Sequence, residues 1–418
     1  MNKNIFFSVD WFAVLFYTFL VGFGMMNLYS ATYEENLNYG NFFLTPIGKQ
    51  TIFLVLSIVS GILILAVDPK ILEPFSNLVY FFCIILLIGL FLLGKTVNFS
   101  TSWYSIGPFS FQPSEFAKIG TTLVLGNYLS NIQTDIKKFS SQIKIISLLF
   151  LPIFFISLQP DLGSALIFVA FFFPLFREGL SYIYLVTFFS ASLLFLISIS
   201  FESMTTIAII ILLFFLLFFI LKKFYSKIKI WPFIIFVIVS IGFSFSVDYM
   251  YNELFEQRHR DRIEILLGKK IDSRGAGYNI NQSKIAIGSG GISGKGFLEG
   301  TQTKGNFVPE QHTDYIFSTI GEEWGFLGSS FLIIIYLALI IRIIISAEKQ
   351  AKKFRRFFSY SVASLIFVHF LINIGMSLGI SPTIGIPLPF ISYGGSCLLA
   401  FSILIFIHLN LDANRLNE

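Results

Sequence analysis

Apolar runs of 18 or more residues recur along this chain, separated by short polar turns. A run of that length lets a helix cross the hydrocarbon core of a bilayer, about 30 Å at about 1.5 Å per residue. The runs place about twelve spans, at 11–30, 47–67, 76–94, 114–130, 142–158, 163–177, 181–200, 204–221, 231–248, 314–345, 358–379 and 391–411. The expected fold class is therefore all-α: a polytopic helical membrane protein, read as a single integral membrane domain over residues 1–418. Pro46, Pro74, Pro113, Pro232 and Pro382 fall at or near span ends, where a missing N–H costs little. No repeat period and no soluble domain is visible. Residues 1–10 are polar, and no small-residue cleavage site follows the first apolar run. The first helix is expected to stay in place.

Orientation follows from the basic residues of the short turns, which concentrate on the cytoplasmic side. Alternate turns carry Lys70; Lys137, Lys138 and Lys144; Arg177; Lys222, Lys223, Lys227 and Lys229; and Lys349, Lys352, Lys353, Arg355 and Arg356. The intervening turns at 31–46, 159–162, 201–203 and 380–390 carry no Lys or Arg. This places both termini in the cytoplasm and one large extracytoplasmic loop at 249–313.

Composition adds little to this picture. Of 418 residues, 55% are hydrophobic and 13% charged, against about 25% charged in soluble domains. The 53 Phe residues suit lipid-facing positions, where any large apolar side chain serves. Cys83 and Cys397 lie in apolar runs without a CxxC partner or a His cluster, so neither a disulfide nor a zinc site is expected. The net charge of +5 is accounted for by the turns and the large loop, and does not imply nucleic acid.

The large loop is where chemistry is expected. It is polar, Gly-rich and basic in an otherwise apolar chain. It runs through Gly288-Ser289-Gly290-Gly291, Gly294-Lys295-Gly296 and Gly300-Thr301-Gln302 to Pro309-Glu310-Gln311-His312-Thr313-Asp314. Asp314 stands where the loop meets the tenth span. A carboxylate there, beside Ile316 and Phe317, loses solvation, which raises its pKa and suits a general base. The plain alternative is a helix cap by Thr313 or Asp314. Lys284, Lys295 and Lys304, with Arg258, Arg260, Arg262 and Arg274, could bind an anion such as phosphate together with backbone N–H groups of the glycine turn. Glu310 and His312 share the Asp314 motif and join it as candidate substrate contacts. Glu115 and Lys118 stand at i and i+3 in the fourth span, on one helix face. They form either a structural ion pair or a pair that positions substrate. Asp161, after Gln159-Pro160, either caps the sixth span or lines an external cavity. Trp103, in the 95–113 loop, is an interfacial anchor or a sugar-stacking platform. His369 and Asn373 are lone polar groups expected to be satisfied by neighbouring helices.

These residues together resemble the SEDS family (shape, elongation, division and sporulation), on its RodA-like side. The resemblance covers nearly the whole chain. It rests on Gln112-Pro113-Ser114-Glu115, on Gln159-Pro160-Asp161-Leu162-Gly163, on 275–328, on Asn373-Ile374-Gly375-Met376, and on Gly385-Ile386-Pro387-Leu388-Pro389 through Ser396. It implies a peptidoglycan glycosyltransferase that polymerises lipid II on the outer face of the cytoplasmic (inner) membrane. It also implies Asp314 as the essential acidic residue and Glu115/Lys118 as functionally important. The implied partners are a class B penicillin-binding protein and other membrane proteins of the elongation complex. The family has ten spans. The surplus here lies in 180–248, as an extra helix pair. The family often carries Arg before the Trp of the 95–113 loop, whereas Thr101-Ser102 stand here. The implied reaction inverts the anomeric centre and releases undecaprenyl pyrophosphate, with Asp314 as base. Lys284 and Lys295, or a divalent cation (Mg or Mn), would neutralise the leaving group. A lipid-linked precursor flippase, a non-catalytic scaffold and the division-type homologue remain as alternatives.

Overall fold

The computed structural model describes residues 8–33, 39–97, 100–224, 229–255, 257–269 and 275–415. The elements are α1 (Trp11–Ala31), α2 (Pro46–Ala66), α3 (Leu72–Leu93), β1 (Lys95–Val97), β2 (Ser100–Ile106), β3 (Phe109–Phe111), α4 (Pro113–Ser130) and α5 (Phe139–Leu158). There follow α6 (Leu162–Ile167), α7 (Phe172–Arg177), α8 (Tyr182–Ser200), α9 (Ser203–Phe224), α10 (Trp231–Tyr249), α11 (Gln257–Leu266) and α12 (Ala276–Ser289). The last are α13 (Thr301–Lys304), α14 (Ile316–Glu348), α15 (Lys353–Leu378) and α16 (Gly395–Ala413).

Helix stands at every position where a span was expected, but among the described residues ten helices are long and apolar enough to cross a membrane. The expected count of twelve is thus not reached by this measure. The two shortfalls have physical reasons. Most of α4 is buried against α3, α5, α15 and α16. A helix inside a bundle is chosen for packing and carries small and polar residues rather than lipid-facing ones. The 162–177 segment is two short helices, α6 and α7, joined by a 3₁₀ turn at Phe168–Phe171.

Two further expectations need correction. The 95–113 segment is not an irregular loop but a small antiparallel sheet in the order β1-β2-β3, with Lys95 opposite Trp103 and Tyr104 opposite Phe111. Alternating Ser, Thr and aromatic residues favour strand, and Gly107, at φ +61°, turns the β2–β3 hairpin. The stretch read as one loop at 249–313 carries helix at α11, α12 and α13.

The chain forms two compact units, Met1–Leu180 with Tyr278–Glu418, and Ser181–Gly277. The first has its core around α4, α15 and α16. There Phe357, Phe358, Phe401, Leu404 and Leu365 are buried, and α15 and α16 are the most buried of the ten crossing helices. Capping follows local rules. The Asp10 carboxylate accepts from Phe12 N at 3.2 Å at the start of α1, and Thr45 caps α2 with Pro46 in the first turn. The second unit holds α8, α9 and α10, whose apolar side chains mostly face outward. Its polar groups pair locally, with Ser203 donating to Asp248 at 2.9 Å and Ser198 to Ser244 at 2.9 Å.

Candidate active site

The Gly-rich segment earns its glycines by crossing a broken helix. α14 breaks at Gly325, whose φ of 63° and ψ of −161° no helix contains. In an unbroken helix the carbonyls of Glu322 and Glu323 would accept from Phe326 and Leu327. Here they accept from Lys295 N and Gly296 N, each at 3.0 Å. The freed N–H groups of Phe326 and Leu327 donate to Gly291 O at 2.9 Å and Ile292 O at 3.0 Å. Four backbone groups that would each cost about 1–3 kcal/mol if buried unpaired are thereby matched. A Cβ at Gly290, Gly294 or Gly325 would run into backbone of the opposing segment. The N–H groups of the glycine turn are used locally: Gly290 N and Gly291 N bond to Ile287 O and Gly288 O within their own turn.

Glu322, fully buried, anchors the same segment. Its carboxylate accepts from Lys295 Nζ at 2.7 Å, Gln302 N at 2.8 Å, Thr303 N at 2.9 Å and Thr303 Oγ1 at 2.6 Å. Lys295 also donates to Thr301 Oγ1 at 2.7 Å. Glu323 accepts from Ser30 of α1, and Trp324 Nε1 donates to Asn27 Oδ1 at 3.1 Å. These contacts fix the 290–304 segment against α14, and α14 against α1. Lys284 and Lys304, by contrast, are exposed. Lys284 lies against Gly379 at the end of α15, and Ser283 beside it donates to Ser377 O at 2.8 Å.

Asp314 is half-buried just before α14. The cap position of α14 is Tyr315, without a side-chain cap bond of its own. The Asp314 carbonyl accepts from Asn373 Nδ2 at 2.9 Å, and the same amide donates to Ile386 O at 2.8 Å. A Cβ on Gly385, at φ +78°, would sit 3.4 Å from Asp314 Oδ2. The carboxylate therefore faces a turn that only glycine makes without strain. Tyr315 and Thr383 share a hydroxyl hydrogen bond of 2.9 Å. Asn373, expected to be bland, holds the candidate base in place.

The rest of the motif is built from the backbone outward. Glu310 adopts φ +54°. Its carbonyl accepts from Thr313 N at 3.1 Å and Tyr315 N at 3.2 Å, and its carboxylate accepts from Thr313 Oγ1 at 3.1 Å. Gln311 Nε2 ties the loop to α1, donating to Ala31 O at 2.9 Å and Thr303 O at 3.0 Å. The His312 carbonyl accepts from Tyr393 N at 2.8 Å. Burial holds the His312 pKa below its ordinary value, against the opposing pull of Glu310. Its ring is thus neutral at pH 7. Glu310 and His312 line a cavity of about 390 Å³ with Tyr29, Tyr33 and Phe42.

The other expected residues lie around the 383–392 turn or away from it. Asp161 caps α6, its Oδ1 accepting from Ser164 N at 3.0 Å and its Oδ2 from Gln112 Nε2 at 3.1 Å. Gly163 of that helix packs on Ile384 of the turn. Glu115 and Lys118 form the expected ion pair, 2.7 Å apart and fully buried. Lys118 also reaches His369 Nε2 at 2.9 Å. Trp103 is half-buried in β2, and no contact described for it reaches Asp314. Of the expected substrate contacts, the structure thus gathers Glu310 and His312 with Asp314 on one loop, and engages Lys295 internally. Sequence reasoning missed Gln311 and Gly385. The run of glycines and prolines after Thr383 was the available signal for the second.

Comparison with known proteins agrees with this architecture. Two stretches, residues 11–210 and 190–417, match the family described as cell cycle protein, that of FtsW, RodA and SpoVE. The chain is similar to the peptidoglycan glycosyltransferase MrdB of Escherichia coli K12, at 32% identity over 87% of this chain and 84% of that one. It is similar to the peptidoglycan glycosyltransferase RodA of Treponema pallidum, at 30% identity over 97% and 98%. Among solved structures it shares its fold with a chain from work on how a peptidoglycan synthase complex coordinates polymerization and crosslinking. That match has a TM-score of 0.71 and 23% identity, covering 98% of this chain and 99% of that one. The length and identity of these matches make the chain a member of the FtsW, RodA and SpoVE family, the SEDS proteins.

Proposed function

We propose that this protein is a peptidoglycan glycosyltransferase of the cytoplasmic membrane, polymerising lipid II during cell elongation and cell-shape maintenance. The observation that carries the reading is the seat of Asp314. The likeness to curated glycosyltransferases runs through it, and the fold braces a half-buried carboxylate there against Gly385 and Asn373. The higher identity to MrdB and RodA than to an FtsW of Haemophilus ducreyi supports elongation over division.

The acceptor GlcNAc presents its 4-hydroxyl to the anomeric carbon of the donor MurNAc. The new C–O bond forms as the bond to undecaprenyl pyrophosphate breaks, and the leaving group keeps the electron pair. Asp314 takes the hydroxyl proton, a role worth about 10²–10⁴-fold. One displacement converts the α-linked donor into a β-linked product, so no second carboxylate is needed. The exposed Lys284 and Lys304 are the better leaving-group contacts, because Lys295 is held by Glu322. The cavity beside His312 suits a sugar rather than the pyrophosphate. Among the described residues no Lys or Arg lines it, the one carboxylate there repels phosphate, and its aromatic walls suit a pyranose face. Among the described residues no three His, Cys, Asp or Glu side chains form a metal-ligand set. A magnesium or manganese ion would be held by Asp314 together with substrate pyrophosphate, and would neutralise charge on the leaving group.

The likeness to a synthase-complex chain supports a class B penicillin-binding protein as partner. The charge pattern of the turns supports cytoplasmic termini. Within 180–248, α8, α9 and α10 offer the three helices expected of an added pair.

The test is lipid II polymerisation by the purified protein with a partner whose own catalysis is disabled. Wild type should give glycan chains, and Asp314→Ala and Asp314→Asn should lose at least about a hundredfold in rate. Full activity in both variants would move the base elsewhere. No polymer from the wild-type complex would overturn the reading.

A further inference from the structure

The ion pair of Glu115 and Lys118 does not end with itself. Lys118 Nζ lies 2.7 Å from Glu115 Oε1 and 2.9 Å from His369 Nε2, with all three side chains buried. An ammonium has donors only, so the His369 nitrogen facing it is the acceptor. The ring proton then sits on the other nitrogen, Nδ1, which lies 3.1 Å from Pro387 O. A carbonyl accepts, so the tautomer set by Lys118 is the one this contact needs. The ring is further held edge-on to Phe401, with centroids 4.9 Å apart, and Lys118 lies 5.3 Å from the same ring.

Pro387 belongs to the turn that faces the candidate base. One helical turn after His369, Asn373 donates to Ile386 O and to Asp314 O. Two adjacent carbonyls of the turn, at Ile386 and Pro387, are thus held by two side chains of α15 at i and i+4. Gly385, next in the turn, faces the Asp314 carboxylate. We propose that His369 is a positioning residue for the Asp314 carboxylate, acting through the 385–387 turn and fixed in its Nδ1–H tautomer by Lys118. This rests on the proposed role of Asp314. It assigns a purpose to the buried ion pair: Lys118, paired with Glu115, selects the tautomer of a histidine that shapes the outer turn. A one-ångström misplacement of a reacting group can cost about a hundredfold in rate without loss of binding.

The test compares wild type with His369→Ala, His369→Leu and His369→Gln in lipid II polymerisation, with lipid II binding and thermal unfolding measured on the same preparations. Gln offers an oxygen to Lys118 and an N–H to Pro387 O from one amide, whereas Ala and Leu offer neither. The expected result is a loss of about 10²-fold in kcat for Ala and Leu at little-changed KM and lipid II affinity, with Gln recovering most of it. A purely structural role would lower unfolding temperature and folded yield in step with rate, and Gln would then rescue no better than Leu at equal stability. That outcome, or full activity in His369→Ala, overturns the inference. If His369→Ala or His369→Leu does not fold, the Gln variant decides alone: wild-type kcat supports the proposal, and a hundredfold loss in a folded protein overturns it. Absence of polymer from wild type would instead count against the glycosyltransferase reading itself.

Discussion

Single residues at this site act through what they hold rather than through what they are. The setting of Asp314 comes from Asn373, Tyr315 and Gly385. Gly385 is a sharp test of that setting. At φ +78° a side chain costs about 1–2 kcal/mol, and its Cβ would stand 3.4 Å from Asp314 Oδ2. Gly385→Ala should fold, bind lipid II and lose roughly tenfold or more in polymerisation rate. A rate within twofold of wild type would show that the turn does not set the carboxylate. The sequence marked Asp314 because a carboxylate at a span boundary stands out against apolar neighbours. It could not mark Asn373 or His369 as supports, because their partners lie 13 to 59 and 18 to 251 residues away. Lys295 shows the reverse case. Its charge suggested an anion, yet the nearest anion is the protein's own Glu322.

At the scale of elements, the break in α14 explains the composition of the loop. Gly290, Gly294 and Gly325 are required by close backbone approach, not by anion binding. Gly325→Ala combines positive φ with a collision against Gly294, and should destabilise the purified protein by about 3 kcal/mol or more, read as a sharply lower unfolding temperature. Gly22→Ala, in the interior of α1 with no atom within 4 Å of the added methyl, is the matched control. It should be neutral or stabilising by up to about 1 kcal/mol. Equal effects from the two would remove the argument from backbone approach. Hydropathy alone does not show such a break, since the span read at 314–345 runs across Gly325. The sequence places α4 as a span at 114–130, yet it is more polar than the lipid-facing helices because its neighbours are other helices.

For the whole molecule, the charge pattern of the turns makes one prediction about orientation. Cys83 and Cys397 are both buried, so introduced thiols can be labelled against a low background. A membrane-impermeant maleimide should reach Lys304→Cys in intact cells stripped of outer layers, and should reach Lys137→Cys only after permeabilisation. The opposite pattern would invert the topology and place Asp314 on the cytoplasmic face, where the proposed extracytoplasmic polymerisation could not occur.

The sequence by itself determined the class of fold, the positions of the apolar helices and the family, and it singled out Asp314 as the candidate for chemistry. It could do so because bilayer crossing and helix periodicity are local properties, written in runs of apolar side chains and in the punctuation between them. The tertiary structure alone decided which charges are spent internally, why the glycines are needed, and that a buried Lys–His contact reaches the turn facing Asp314. Those depend on backbone groups and side chains brought together across hundreds of residues, and hydrogen bonding at that range leaves no periodic trace in the chain.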